Sequence, residues 1–161
     1  MAHFRRKFLY MLLLLLPVAG AFGYALWARG VMRPGAEAST AAVLCRQARK
    51  ALAGHDLATA QSCLRECLER WPLDAEAHFL LARTCRRQDD TAGCLRHLDD
   101  ASVLQWPRQE IDFEYSLWRA QTGDLRTTEP GLRSRLASYT PDEELILEAL
   151  CKGCLETHLL A

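Results

Sequence analysis

The chain contains no asparagine, and only four valines and two isoleucines among 161 residues. Such scarcity of β-branched residues excludes a β-rich fold. Against them stand 28 leucines and 23 alanines, the composition of an all-α protein. Acidic residues are missing from the first 33 positions, where Arg5, Arg6, Lys7, Arg29 and Arg33 lie. Positions 34–161 hold 15 basic against 20 acidic residues, an excess of five negative charges that argues against nucleic acid as a partner. Sequence signatures of catalysis are absent too: there is no H-E-x-x-H, no G-x-S-x-G, no phosphate-cradling glycine loop and no dinucleotide fingerprint. His3, His55, His78, His97 and His158 show no paired-ligand spacing. No catalytic residue, cofactor or metal site is therefore expected. The length leaves room for one domain of about 130 residues and an appendage.

The appendage is at the amino end. After Arg5-Arg6-Lys7, residues 8–28 form an uncharged and mostly apolar run in which positions 12–16 are all leucine. As a helix this run spans roughly 30 Å, the thickness of a bilayer core. A buried core helix would carry a polar stripe, and none occurs here. The expected organisation is a basic cytoplasmic segment at 1–7, a transmembrane signal-anchor at 8–28 closed by the interfacial Tyr24 and Trp27, a linker at 29–40 and a helical domain at 41–161. The amino end stays in the cytoplasm and the domain is extracytoplasmic, facing a bacterial-type periplasm. Ala19-Gly20-Ala21 offers the alternative of a cleaved signal peptide and a secreted domain.

Beyond the linker, residue types recur every 34 positions. Asp56, Asp90 and Asp124 share this interval, as do Leu64, Leu98 and Leu132. Small residues fall in step at Ala48, Ala82 and Ser116, and at Ala60, Cys94 and Thr128, and Pro72, Pro107 and Pro141 close the units. Several columns at one period mark a repeat architecture. Each unit reads as two helices. In the first, Leu44, Ala48, Ala51 and Leu52 keep one apolar face, Gly54-His55 breaks it, and Leu57, Ala60, Leu64, Cys67 and Leu68 form the next. Each aspartate is expected to cap the second helix of its unit by accepting amide protons of the first turn.

On these columns the chain resembles the tetratricopeptide repeat family over residues 41–160. The resemblance implies a right-handed solenoid of about three and a half repeats behind the single transmembrane helix. Its concave face would bind a protein or peptide segment, without catalysis. Departures are Leu44, His78 and Asp112 where the family has a large aromatic, Arg119 at an apolar mid-helix position, and Pro130-Gly131, expected to break or kink its helix.

Thr140-Pro141-Asp142-Glu143 reads as a capping box with proline at the first helical position. In the helix that follows, Glu144, Glu148, Lys152 and Glu156 make one narrow polar stripe, and leucines fill most of the remaining wheel. A terminal helix normally shows water a polar face. This one reads as the first helix of an incomplete fourth unit, either because the chain is a fragment or because a partner or second copy completes it, and with Leu147, Leu150 and Leu160 uncovered it is expected to self-associate.

Two constellations remain. Cys151 and Cys154 form C-x-x-C and carry the alternative reading, a thiol-based redox or metal-binding protein. Cys63 and Cys67 with Cys94 or His97 offer a second metal grouping. However, Cys67, Cys85 and Cys94 fall where the repeat needs small buried residues. The partner-binding candidates are Arg49, Glu76, Phe79, Arg83, Arg86 and Arg87, positions that line the groove in the resembling family and could hold an acidic peptide or carboxylate. A plainer reading of the arginines is a solvated basic face favoured by the helix dipole. The family's carboxylate clamps also use asparagine, which this chain lacks.

Overall fold

The turn aspartates organise the domain. The computed structural model of the chain describes residues 34–138 and 141–159, and every regular element in them is helical. Seven helices follow in order: α1 (Pro34–Ala53), α2 (Leu57–Arg70), α3 (Ala75–Arg87), α4 (Thr91–Val103), α5 (Arg108–Gln121), α6 (Leu125–Ala137) and α7 (Glu143–Leu159). The chain divides into two compact units, Met1–Ala42 and Val43–Ala161. Of the first, only 34–42 is described, and it is helical from Pro34, so the last seven positions read as linker, 34–40, are helix. The run at 8–28 lies outside the described residues, among which no helix is long and apolar enough to cross a membrane.

The 34-residue interval is visible in backbone geometry. The amide of Asp56 donates to the Ala51 carbonyl, that of Asp90 to Cys85, and that of Asp124 to Arg119. Before each aspartate the chain turns left-handed, at His55 (φ 59°), Asp89 (φ 63°) and Gly123 (φ 95°). This is the Schellman termination, which satisfies the last carbonyls of one helix and aims the chain into the next. Asp56 and Asp90 then cap as expected, accepting from the amides of Thr59 (3.0 Å) and Gly93 (2.9 Å). Asp74 does the same for α3 through Ala77. Asp124 departs from the pattern: its carboxylate is taken by the hydroxyl of Thr127 and the guanidinium of Arg119, and no side-chain cap to the backbone forms.

The leucine column and the column of Ala60, Cys94 and Thr128 are buried at all three positions, whereas the column of Ala48 and Ala82 is only half-buried at Ser116. Leu64 and Leu98 have no exposed surface and Leu132 only 3%; Ala48, Ala82, Ala60 and Cys94 are fully enclosed. Small residues at these points let paired helices approach closely while leucine fills the space between them. α3 packs on α2 and most extensively on α4, whereas α5 packs on α7 as well as on α6. Pro130 does not break its helix. α6 runs unbroken from Leu125 to Ala137, with Thr128 and Leu132 buried and Leu136 packed on the core.

The last helix departs from expectation in two ways. It starts at Glu143, with the Asp142 carbonyl accepting from the amide of Ile146; Pro141 lies in the preceding turn, and Thr140 is outside the described residues. Its cover is also more complete. Phe113, Leu117, Ala120, Leu132, Ile146 and Ala149 form one core, with Leu145 and Leu150 packed against it. Half of the stripe read as its water-facing side is turned into the domain: Glu148 pairs with Arg87 (3.0 Å) and Lys152 with Asp89 (3.0 Å), while Glu144 and Glu156 stay exposed. Leu147 and Leu155 are exposed, while Leu160 is outside the described residues.

Gly153 explains how α7 sits so close to α5. A Cβ at this position would collide with the Ala120 carbonyl oxygen. By helix propensity alone, Gly153→Ala would gain about 1 kcal/mol. The collision reverses the sign, and overpacking should cost about 1–3 kcal/mol, read as a lower urea midpoint. A raised midpoint would mean that the two helices are not in backbone contact.

Candidate functional site

Three of the candidate arginines, Arg83, Arg86 and Arg87, lie in the last two turns of α3, where the helix dipole favours cations. Their fates differ. The guanidinium of Arg86 is entirely buried, and so is the carboxylate of Glu114 on α5 that receives it, with Nε to Oε1 at 2.7 Å. Arg83 donates to the other oxygen of Glu114 at 2.9 Å. Arg86 Nη1 also donates to Gln121 Oε1 (3.0 Å), and the Gln121 amide returns a hydrogen bond to the Arg86 carbonyl. Burial by itself would raise the Glu114 pKa, but the charges and hydrogen bonds of Arg86 and Arg83 outweigh it and hold the carboxyl below its ordinary range. A buried pair of this kind is tolerated because each charge has several partners. One buried Arg86 Nη2 has none.

Arg87 is likewise spent inside the domain. It donates to the Leu52 carbonyl at the end of α1 (2.9 Å) and to Nδ1 of His55 (2.8 Å). Because Nδ1 accepts, the proton sits on Nε2 of His55, which faces Glu144 at 3.1 Å. Arg87 thus joins the α1–α2 turn to α7. Neither a solvated basic face nor a free anion clamp describes Arg86 and Arg87. Sequence periodicity carries no sign of this, because the neutralising carboxylates are 28 to 61 positions further along the chain.

Above this network a cavity of about 520 Å³ opens between α1, α3, the start of α5 and the start of α7. Four of the six candidates, Arg49, Phe79, Arg83 and Arg87, line it, as do Trp106, Glu110 and Glu144. Glu76 stands beside it, paired with Arg49 at 3.0 Å, and Arg86 is buried within the α3–α5 network. Trp106, not singled out by the sequence pattern, stacks on Phe79 with ring centres 5.3 Å apart. The Arg83 guanidinium lies over the other aromatic partner, 4.9 Å from the Phe79 centre, a cation–π contact. Every arginine of the cavity is already matched by a carboxylate, so the walls lend no support to a preference for acidic ligands.

All seven cysteines are free thiols. Cys45, Cys67, Cys85 and Cys94 are buried, and burial pushes the thiols of Cys85 and Cys94 up to about 11 and about 12. Cys63 is half-buried and contacts Gln47, while Cys151 and Cys154 are exposed on α7. Since the thiolate is the reactive form, native protein at pH 8 should react rapidly at Cys151 and Cys154 and release the four buried thiols only on denaturation. Fast native labelling of Cys67, Cys85 or Cys94 would contradict their place in the core. His97 meets none of the cysteines proposed as co-ligands; it meets His78, on α3.

Comparison of the chain with protein-family models, with curated proteins and with solved structures finds no match to any of them.

Proposed function

We propose that the chain is a membrane-anchored interaction module of the tetratricopeptide type, without catalytic activity, that binds an extended protein or peptide segment in the cavity between α1, α3, α5 and α7. The observation that carries the reading is a cavity in which half-buried Trp106, backed by the buried Phe79 ring, is set among polar side chains of α1, α3, α5 and the start of α7. Such a surface combines apolar anchoring with hydrogen-bond donors and acceptors that orient a backbone. The 34-residue interval of the Schellman turns and the burial of its columns support helical pairs stacked as a solenoid. The uncharged run at 8–28 supports anchoring with the amino end in the cytoplasm and the domain in the periplasm. Leu147 and Leu155, exposed on α7, support self-association as a secondary property.

Charge reversal at the rim tests the binding site without disturbing the core. Full-length protein carrying Glu110→Arg should lose partners that the wild type retains after chemical cross-linking, whereas Ser62→Arg on the exposed side of α2 should retain them. Equal recovery from both variants would remove the cavity as the binding site. Alkaline carbonate extraction separately tests the anchor: the chain should stay in the membrane pellet, and a soluble chain beginning at Phe22 would establish cleavage.

A further inference from the structure

We propose that His78, His97 and Asp100 form a binding site for a zinc-class divalent ion that ties α3 to α4. His78 lies in the first turn of α3, and His97 and Asp100 are one turn apart near the end of α4. Their ligand atoms converge: Nδ1 of His78 is 3.1 Å from Nδ1 of His97, and Oδ2 of Asp100 is 3.4 Å from the first and 3.7 Å from the second. Zinc binds imidazole nitrogen and carboxylate oxygen at about 2.0–2.2 Å in a tetrahedron, which separates neighbouring ligand atoms by about 3.3–3.6 Å. The three observed distances straddle that value, so an ion fits with shifts of a few tenths of an ångström.

The tautomer suits a ligand. His78 Nε2 lies 3.0 Å from the Pro72 carbonyl oxygen, which can only accept, so the proton sits on Nε2 and the Nδ1 lone pair faces the other two groups. A backbone carbonyl on the far nitrogen is the usual support of a metal-bound histidine, because it fixes the ring orientation and increases its basicity. The two histidine side chains are 11% and 14% exposed, while Asp100 is 46% exposed, so solvent reaches the site from the carboxylate side and can supply a fourth ligand. Two imidazoles and one carboxylate suit zinc, and cobalt(II) is its spectroscopic substitute.

Another group, Cys45, Cys67 and Asp74, also brings ligand atoms together, with both thiols buried. Cobalt separates the two sites, because thiolate ligands add a strong near-ultraviolet charge-transfer band that imidazole and carboxylate lack.

The test is equilibrium dialysis of the full chain in detergent against zinc, followed by cobalt(II) spectra. One zinc per chain is expected, with visible cobalt bands and no thiolate charge transfer. Binding should weaken at least roughly ten-fold in His97→Gln and in Asp100→Asn. Asp100 is half exposed, so Asp100→Asn keeps the fold and leaves the result interpretable, and zinc should raise the melting temperature of the wild type but not of this variant. Absence of zinc binding, or binding that persists in Asp100→Asn or shows the thiolate band, would overturn the site.

Discussion

Glu114→Ala is expected to lower stability by about 3–5 kcal/mol, the largest effect of any single change at the site. The substitution leaves Arg86, whose side chain has no exposed surface, without its counter-charge, and also frees Arg83. Removing one partner of a buried pair is costly because the survivor keeps its desolvation penalty. Glu114→Gln should cost less, since the amide oxygen still accepts one hydrogen bond. Denaturant midpoints of the two variants against the wild type provide the measurement, and a loss below about 1 kcal/mol for Glu114→Ala would mean that Arg86 reaches water. Acid should act in the same direction. The carboxyl of Glu114 is held below its ordinary value of 4.5, so its contribution is complete above that value and is lost as pH falls through the depressed folded value. The wild type should therefore lose stability in acid more steeply than Glu114→Gln, which has no proton to take up at this position.

Leu98→Ala is the second large change, expected to cost about 2–5 kcal/mol through lost contacts and a cavity that only partly collapses. Leu98 is fully buried on α4. Gln88, exposed at the carboxyl end of α3, serves as the comparison, and Gln88→Ala should stay within about 0.5 kcal/mol. Equal midpoints would put the 34-residue register in error.

What the sequence made legible was whatever burial repeats. A leucine at Leu64, Leu98 and Leu132 and a small residue at Ala60, Cys94 and Thr128 recur at one spacing and are buried each time, so these positions could be read from the sequence. Groups that meet across units leave no such trace. Arg86 and Glu114 are 28 positions apart, on helices of different units, and the arginine belongs to a stretch of sequence that reads as polar surface. His78 and His97 are 19 apart and have no spacing that suggests a pair until α3 lies against α4. The stripe on α7 misled for a related reason: Glu148 and Lys152 are polar because Arg87 and Asp89 await them, not because water does. Local rules were overridden at two points. Pro130 remains helical where α6 packs on α5 and α7, and Asp124 gives its carboxylate to Arg119 and Thr127 in place of the backbone.

Photo-cross-linking addresses the binding surface most directly. A photoreactive residue at position 110, on the wall of the cavity beside Trp106, and another at position 62, exposed on α2, would each be placed in the full chain and illuminated in membranes. A discrete cross-linked protein is expected from position 110 and not from position 62. The same products from both positions, or none from position 110 while position 62 gives one, would contradict a partner seated in the cavity at Trp106.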